Sequence, residues 1–292
     1  MRKFSISDIE GLIGIKAHTI RAWETRYNLV PAKRTPTNIR FYDDNDLKLL
    51  LNVVALNENG YKISRIAQMG KQQIADLVIQ LQSKYNNDSI QLLNLAEATL
   101  KYDEVAIAKI LSGCISEMGL TKTMDTVLFP YMKRVGMLWQ TGTIDPSHEH
   151  FASNLIRDRI IVEIDKVVKP KRKDPKRFLL FLPETEMHET GLLFARYLLK
   201  KCGMDTMYLG QEIPYSDIKK VIESYQPDYA FIVLTSLNLG KNVNKIIGKV
   251  MDNLNVPLLV AGSLISEFDI LVHDQLKPLK NVCDIVDFLE EL

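Results

Sequence analysis

The stretch from Pro183 to Gly191 contains residue types that can bind a metal. An apolar run, residues 178–182, precedes it and an amphipathic run, residues 192–202, follows it, which predicts a strand, a loop and a helix. Open α/β sheets bind ligands at the carboxyl ends of their strands, and the loop would place His188 at that edge. Neutral imidazole is a good transition-metal ligand, and a nearby carboxylate such as Glu186 can fix its tautomer.

The pattern Glu186-x-His188-x-x-Gly191 resembles the lower-ligand motif of cobalamin-binding domains. The resemblance implies that His188 coordinates cobalt and that Glu186 holds the other imidazole nitrogen. Gly191 would lie in the first turn of the helix, where a side chain would obstruct a ligand lying against the loop. The family usually has Asp in place of Glu186, so the longer carboxylate must sit further back or bond differently. The alternative is a surface histidine that follows a strand.

A second pattern has nine residues between Trp139 and the pair Glu149-His150. It resembles the signature of the light-sensing cobalamin repressors of the CarH/LitR group. The resemblance implies that Trp139 packs near the upper adenosyl group, that Glu149 contacts this group, and that His150 can take the cobalt once it leaves. An aromatic wall excludes water and a carboxylate accepts ribose hydroxyl protons. The alternative is a core tryptophan and two solvated residues; His148 has no matched role and is expected to be exposed.

Strand and helix patterns alternate after a basic, proline-bounded linker at residues 170–177. This alternation predicts a doubly wound parallel sheet of the flavodoxin-like type. The predicted strands are 178–182, 206–209, 229–234 and 258–261, with a fifth near Val282. The predicted helices are 192–202, 216–225, 243–254 and 264–276, with a last helix at 284–292.

Two segments at the predicted strand ends bear on the rest of the ligand groove. Cobalamin domains of this type place Ser/Thr-x-Leu after the third strand and Gly-Gly after the fourth, around the lower nucleotide tail. The first match is Thr235-Ser236-Leu237, whose hydroxyl could bond the displaced dimethylbenzimidazole. In the second, Gly262 is kept but Ala261 adds a methyl where backbone and ligand would pass closely. No Walker loop or G-x-G-x-x-G fingerprint offers a competing nucleotide site.

The segment between the linker and the N-terminal region is predicted to be a four-helix bundle. A preceding helix covers residues 72–84, and the four bundle helices are predicted at 90–100, 102–118, 122–140 and 146–168. Their apolar residues recur at about 3.6-residue spacing. Asp145 is a suitable N-cap before Pro146 at the first helical position. Short connections make neighbouring helices antiparallel, which favours a bundle.

The first 75 residues carry the pattern of a winged helix-turn-helix. Residues 7–10 form a predicted capping box with Ser7 as the N-cap, and the short helix ends at Gly14. A second helix from Lys16 to Tyr27 completes the helix-turn-helix. The basic, turn-rich segment 31–42 predicts a wing hairpin, and a third helix follows from Asp43 to Gly60.

The segment from Thr19 to Leu47 resembles the DNA-binding domain of MerR-type regulators. The resemblance implies that the helix 18–27 lies in the major groove and that Arg40 and Tyr42 clamp phosphates. The metal-sensing cysteines of the founding members are absent, so a different effector is expected. The residues predicted to contact DNA are His18, Thr19, Arg21, Arg26, Tyr27, Arg34, Asn38, Arg40 and Tyr42.

Charge supports a nucleic-acid partner for this N-terminal region. Its first 40 residues have a net charge of +5, against +1 for the whole chain, so the cations are clustered. Clustered Lys and Arg on a helix and an adjoining wing are typical of phosphate binding. His18 and Thr19 lie at the helix start, where recognition helices usually touch base edges. The alternative is a solvated basic helix.

Length and composition indicate a multi-domain α and α/β protein. The 292 residues suit two or three domains, with predicted boundaries 1–75, 76–170 and 176–292. The three cysteines, Cys114, Cys202 and Cys283, are too far apart for a zinc site or a disulfide framework and suit a reducing cytosol. No signal peptide and no membrane-length apolar run is found, so a cytoplasmic protein without membrane contact is expected.

These patterns together predict a transcription regulator rather than an enzyme. Its expected partners are a double-stranded DNA operator, cobalamin (adenosylcobalamin above all) and further copies of the chain in a dimer or tetramer. One rival is a cobalamin-dependent mutase or methyltransferase, which would need a substrate domain, commonly a barrel of ~250 residues, for which the chain has no room. The other rival is a regulator whose cobalamin domain has lost its ligand and serves oligomerisation.

Overall fold

The computed structural model describes residues 4–35, 38–84, 88–140, 144–184, 186–235 and 243–292. The side chains of residues 11–12, 44, 48, 79–84, 88–89 and 137–140 lie outside this description. The chain divides into two compact units, Met1–Leu155 and Ile156–Leu292. None of the helices in the described ranges is both long and apolar enough to span a membrane.

The first unit begins with a winged helix-turn-helix. Its elements are α1 (Ile6–Ile13), α2 (Ala17–Tyr27), the strands β1 (Lys33–Arg34) and β2 (Arg40–Phe41), α3 (Asp44–Glu58) and α4 (Ile63–Ile66). β1 and β2 pair antiparallel, as the predicted wing requires. Sequence inspection missed α4.

The capping box of α1 differs from the prediction. Ser5, not Ser7, is the N-cap: its hydroxyl accepts from Asp8 N, and Asp8 accepts from Ser5 N at 2.7 Å. Both serines are followed three residues later by an acid, so the pattern alone allowed two registers. The Ser5 register is the one that leaves Ile9 fully buried. Gly14 ends the helix at φ 74°, as predicted.

Five helices follow in the chain. They are α5 (Lys71–Lys84), α6 (Asp88–Leu100), α7 (Glu104–Thr123), α8 (Phe129–Gln140) and α9 (Pro146–Lys166), with a π-helical turn at Met124–Leu128 before α8. Helix α6 packs against α7 and α8, and α1 and α3 of the N-terminal region contact α8 and α6. The predicted helix 102–118 continues instead to Thr123 through a kink at Gly119, whose φ is 78°.

The second unit contains a five-stranded parallel sheet in the order β4-β3-β5-β6-β7. Its strands are β3 (Arg177–Pro183), β4 (Asp205–Ile213), β5 (Tyr229–Val233), β6 (Leu258–Ala261) and β7 (Leu276–Leu279). The helices are α10 (Thr190–Lys201), α11 (Tyr215–Tyr225), α12 (Val243–Met251), α13 (Ser263–Glu267) and α14 (Val282–Glu290). The observed order is that of the flavodoxin-like folds, which confirms the predicted doubly wound sheet.

Two predicted elements near the C-terminus are wrong. The fifth strand is not near Val282, because Asn281 caps α14 by accepting from Asp284 N, so Val282 opens a helix. The predicted helix 264–276 ends at Glu267, and the chain then leads to β7, an edge strand. Edge strands tolerate proline, which lacks a backbone donor, and this explains how Pro278 is accommodated.

Candidate functional site

The loop after β3 is organised by the carboxylate of Glu186, which is fully buried. One oxygen accepts hydrogen bonds from His188 Nδ1 at 2.7 Å and from the His188 backbone N–H at 3.0 Å. The other oxygen accepts from the Thr235 backbone N–H at 2.9 Å, at the end of β5. The longer side chain of Glu thus forms a bond to a neighbouring strand end as well as to the imidazole. Glu186 ties the loop to the carboxyl edge of the sheet.

This hydrogen bonding decides which nitrogen of His188 can act as a ligand. Because Nδ1–H donates to the carboxylate, the lone pair of the neutral ring lies on Nε2. The side chain of His188 is 59% exposed although its partner is buried. An imidazole with a fixed tautomer and an accessible face is what a transition metal requires.

Thr235 supplies a second polar group at the same edge. Its hydroxyl oxygen is buried and has no hydrogen-bond partner within the described residues. A buried hydroxyl without a partner is costly, and a ligand that bonded it would remove that cost. Ser236 and Leu237, predicted to continue this segment, lie outside the described residues.

The two predicted glycines are each required by packing within the sheet domain. A Cβ on Gly191 would lie 2.8 Å from Val233 Cγ1 on β5. A Cβ on Gly262 would lie 2.3 Å from the Leu234 carbonyl oxygen, and Gly262 has a φ of 112°. Close contact between chain segments therefore explains both glycines, and their contact with a ligand remains a prediction. Ala261 ends β6 and is buried.

The predicted upper-side residues belong to the first unit. Glu149 and His150 lie in the first turns of α9, and His150 Nδ1 is 3.1 Å from Glu149 Oε2. The side chain of His150 is largely exposed, whereas that of Glu149 is partly buried. Trp139 lies in α8, but its side chain is outside the description.

His148 is buried, so the prediction that it is exposed is wrong. Its ring stacks on Tyr102 with centroids 4.4 Å apart, and Nδ1 lies 3.2 Å from the Tyr102 hydroxyl. The signal was present in the sequence as a four-residue repeat along α9. Its buried members are His148, Ala152, Ile156, Ile160 and Ile164.

Helix α2 presents its polar side chains outward, as a recognition helix must. Ile20 and Trp23 are buried, while most of the predicted DNA contacts on the helix are exposed. Those exposed residues are His18, Arg21, Arg26 and Tyr27, with Thr19 partly exposed. These side chains are accessible to a partner, and their contact with DNA stays a prediction.

The wing agrees with the prediction except at Tyr42. Arg34 donates to Asn38 Oδ1 at 2.6 Å, and Arg40 is exposed with its Nε 3.9 Å from Glu24 Oε2. Tyr42 is fully buried, and burial raises the pKa of its phenol. The structure places Tyr42 in the core rather than on the surface predicted to meet phosphate.

A cleft beside α4 is lined by basic residues that the sequence analysis did not identify. It encloses about 420 Å³ and is lined by Asn59, Gly60, Tyr61, Lys62, Ser64 and Arg65. The guanidinium of Arg65 lies 5.9 Å from the centre of the Tyr61 ring. These cations lie beyond the first 40 residues whose charge was counted.

Comparison with known families defines the class of protein. The model of the MerR HTH family regulatory proteins matches residues 4–73, and the model of the B12 binding domain matches residues 92–162. The chain thus matches a MerR-type helix-turn-helix model at its N-terminal region and a B12-binding model in the helices that follow.

Particular relatives agree with this class. The HTH-type transcriptional repressor CarH of Myxococcus xanthus is 28% identical over 78% of this chain and 77% of its own length. The repressor CarA of the same organism is 27% identical over 76% of this chain and 73% of its own length. The monomethylamine corrinoid protein of Methanosarcina barkeri has a similar fold, with a TM-score of 0.51 and 14% identity over 68% of this chain and 96% of its own.

Proposed function

We propose that the protein is a DNA-binding transcriptional regulator whose oligomeric state and DNA binding are controlled by cobalamin. The observation that carries the proposal is the Glu186–His188 pair, hydrogen-bonded at 2.7 Å and fixed to the end of β5, in a chain with a MerR-type head. The similarity to two transcriptional repressors supports a regulatory role rather than catalysis.

The residues at the sheet edge fit a cobalamin that approaches with its lower face. His188 offers an exposed ring whose Nδ1 is already committed to Glu186. The buried Thr235 hydroxyl offers a hydrogen bond to a nucleotide tail, since it has no partner in the described part of the chain. One imidazole would supply a single protein ligand, which suits a metal that the cofactor itself already holds.

On the lower side, the protein's contribution is orientation. His188 would coordinate cobalt through Nε2, and the buried Glu186 would keep the proton on Nδ1 and raise the basicity of the ring. Thr235 contributes its backbone N–H to Glu186 and its hydroxyl to the ligand.

On the upper side, we propose that Trp139, Glu149 and His150 select the adenosyl form. When bound, adenosylcobalamin would supply a cobalt–carbon bond that light can break. Trp139 would exclude water, Glu149 would accept hydrogen bonds from ribose hydroxyls, and His150 would stand ready as a replacement ligand. The signal would then be light, and the helix α9 would carry two of the residues that sense it.

The test is a dark titration with adenosylcobalamin followed by ultraviolet–visible spectroscopy. The parent protein should show the spectrum of imidazole-coordinated cobalamin, which the free, acidified cofactor lacks. His188→Ala should bind at least ~10–100-fold more weakly, because loss of a residue that only hydrogen-bonds a metal ligand typically has that effect. His273→Ala, on an exposed loop of the same unit, is the matched control and should behave as the parent.

Equal affinity and equal spectra for the parent and His188→Ala would remove His188 as the ligand. A parent protein that binds no cobalamin would leave the oligomerisation scaffold as the better hypothesis.

A further inference from the structure

A second, partly buried carboxylate lies directly after the proposed cobalt ligand. Glu189 is the N-cap residue of α10, and its side chain is 12% exposed. Arg157 on α9 donates from Nε to Glu189 Oε1. The Tyr208 hydroxyl on β4 donates to Glu189 Oε2 at 2.8 Å. Both oxygens of Glu189 therefore have donors, and these donors come from a different helix and a different strand.

The surroundings keep both donors of this arrangement protonated. The guanidinium of Arg196 lies 5.1 Å from the centre of the Tyr208 ring. Burial, together with the neighbouring carboxylate, raises the pKa of Tyr208 far above its usual value, so its hydroxyl remains a hydrogen-bond donor. Hydrogen bonding to Glu189 likewise raises the pKa of Arg157. Charge-assisted hydrogen bonds of this kind are about twice as strong as neutral ones.

The residue before His188 is held as well. Gln211 on β4 donates from Nε2 to the Met187 carbonyl oxygen at 2.7 Å. The backbone on both sides of His188 is thus tied to β4, through Met187 and through Glu189. The ring itself is tied to Glu186.

We propose that Glu189, clamped by Arg157 and Tyr208, is a positioning residue that fixes the backbone beside His188 and so presents its imidazole in one orientation to cobalt. This inference rests on the proposed function. The three groups do not touch the metal; they act through His188. Their effect should be of the size reported for supporting hydrogen bonds around metal ligands, ~10–100-fold in affinity.

The test compares Glu189→Gln and Tyr208→Phe with Glu184→Gln. Glu184 is an exposed carboxylate on the same loop that accepts from Tyr215 N, outside the clamp. Tyr208→Phe keeps the ring and removes a single hydroxyl, so it remains informative if Glu189→Gln does not fold. Both clamp variants should bind adenosylcobalamin about tenfold or more weakly and show a smaller fraction of imidazole-coordinated spectrum. Glu184→Gln should match the parent.

A double-mutant cycle with His188→Ala distinguishes an effect that acts through His188 from a general loss of structure. In the His188→Ala background, Glu189→Gln should cause no further loss of affinity, because its effect passes through the missing ring. An equal loss in both backgrounds would overturn the inference, as would clamp variants with the parent's affinity and spectrum.

A measurement on the protein without cofactor distinguishes failure of this inference from failure of the proposed function. Nitrogen NMR of the apo protein should show His188 with its proton on Nδ1 in the parent and a mixture of tautomers in Glu189→Gln. A parent that binds no cobalamin would contradict the proposed function alone. An unchanged His188 tautomer in the clamp variants would contradict the positioning role.

Discussion

The carboxylate of Glu186 shows how one buried side chain can organise a ligand loop. A buried charge is tolerated only when it is well hydrogen-bonded, and this one accepts from His188 Nδ1, His188 N and Thr235 N. Each of the three donors lies at the sheet edge where ligands bind in open α/β folds. The same bonds that satisfy the charge therefore orient the imidazole.

Glu186→Gln tests this double role. An amide has only one acceptor oxygen, so its NH2 group would face either the Thr235 N–H or the N–H groups of His188. A donor left unsatisfied in a buried site costs about 1–3 kcal/mol. We expect urea denaturation of the apo protein to show a loss of stability of this size, and cobalamin titration to show ~10–100-fold weaker binding. The exposed Glu184→Gln should change neither quantity; an unchanged Glu186→Gln would refute the role.

Arg40 is the wing residue that we predict to contact phosphate. It is 42% exposed, and Glu24 is its only neighbouring acid within the ion pairs seen in the described residues. Arg40→Ala should weaken binding to specific and random duplexes alike and reduce the salt slope by about one. Lys220→Ala, an exposed cation of the other unit, is the control. Fluorescence anisotropy across a salt series measures the affinity and its salt slope. An unaltered slope would argue against Arg40 as a phosphate contact.

The site was only partly predictable from its residues. The Glu186–His188 pair is local, and its resemblance to the motif of cobalamin-binding domains implied a carboxylate supporting an imidazole. The bond from Thr235 to Glu186 joins residues 49 apart, and it depends on which strands become neighbours. The clamp on Glu189 was missed for the same reason, since Arg157 and Tyr208 lie on separate elements.

At the scale of elements, α10 lies close enough to β5 that only glycine fits at position 191. The expected Cβ of an alanine would approach Val233 Cγ1 to 2.8 Å. The helix thus packs directly on the strand that leads to Thr235, while its first turn follows His188. Close packing between α10 and β5 holds the two polar groups of the site at one edge.

Gly191→Ala should destabilise the apo protein by ~1–3 kcal/mol through overpacking. Val233→Ala should also destabilise it, by loss of buried methyl groups. The double variant should be more stable than the sum of the two predicts, because the shortened side chain makes room for the new methyl. Urea denaturation of all four proteins gives the coupling energy. Additive effects within about 0.5 kcal/mol would show that the two sites do not share this contact.

Regular elements were predicted well where the apolar pattern was strong. The three buried strands β3, β5 and β6 follow from their apolar runs, and β6 matches its predicted bounds, Leu258–Ala261. The errors lie where a polar capping residue, rather than the apolar pattern, determines where a helix begins. Asn281 turns the region of Val282 into a helix, and Ser5 shifts the start of α1. Capping patterns are short and recur by chance, so they locate an end less reliably than periodicity locates a core.

At the scale of the whole molecule, two functions share one chain. The MerR match covers residues 4–73 and the B12 match covers residues 92–162, while the His188 loop lies beyond both. The proposed upper-side residues lie within the B12 match, and the proposed cobalt ligand lies in the second unit. A regulator with both regions must couple cofactor binding in one region to DNA binding by the other.

Oligomeric state is the proposed link. Adenosylcobalamin added in the dark should shift the protein to a larger assembly, a dimer or tetramer, and green light should reverse the shift. Light scattering after size-exclusion chromatography measures the mass directly. Protein loaded with hydroxocobalamin is the control, since it lacks the adenosyl group and should not respond to light. One mass under all conditions would exclude oligomerisation as the link.

The central claim is that cobalamin controls DNA binding. The most direct test is the dissociation constant for a duplex selected from a random pool by the loaded protein in the dark. It is measured for one preparation without cofactor, with adenosylcobalamin in the dark, and again after green light. We predict at least tenfold tighter binding in the dark loaded state, about 1.4 kcal/mol, and loss of that gain on illumination. Equal dissociation constants in all three states, with the spectrum showing bound cofactor, would contradict the account.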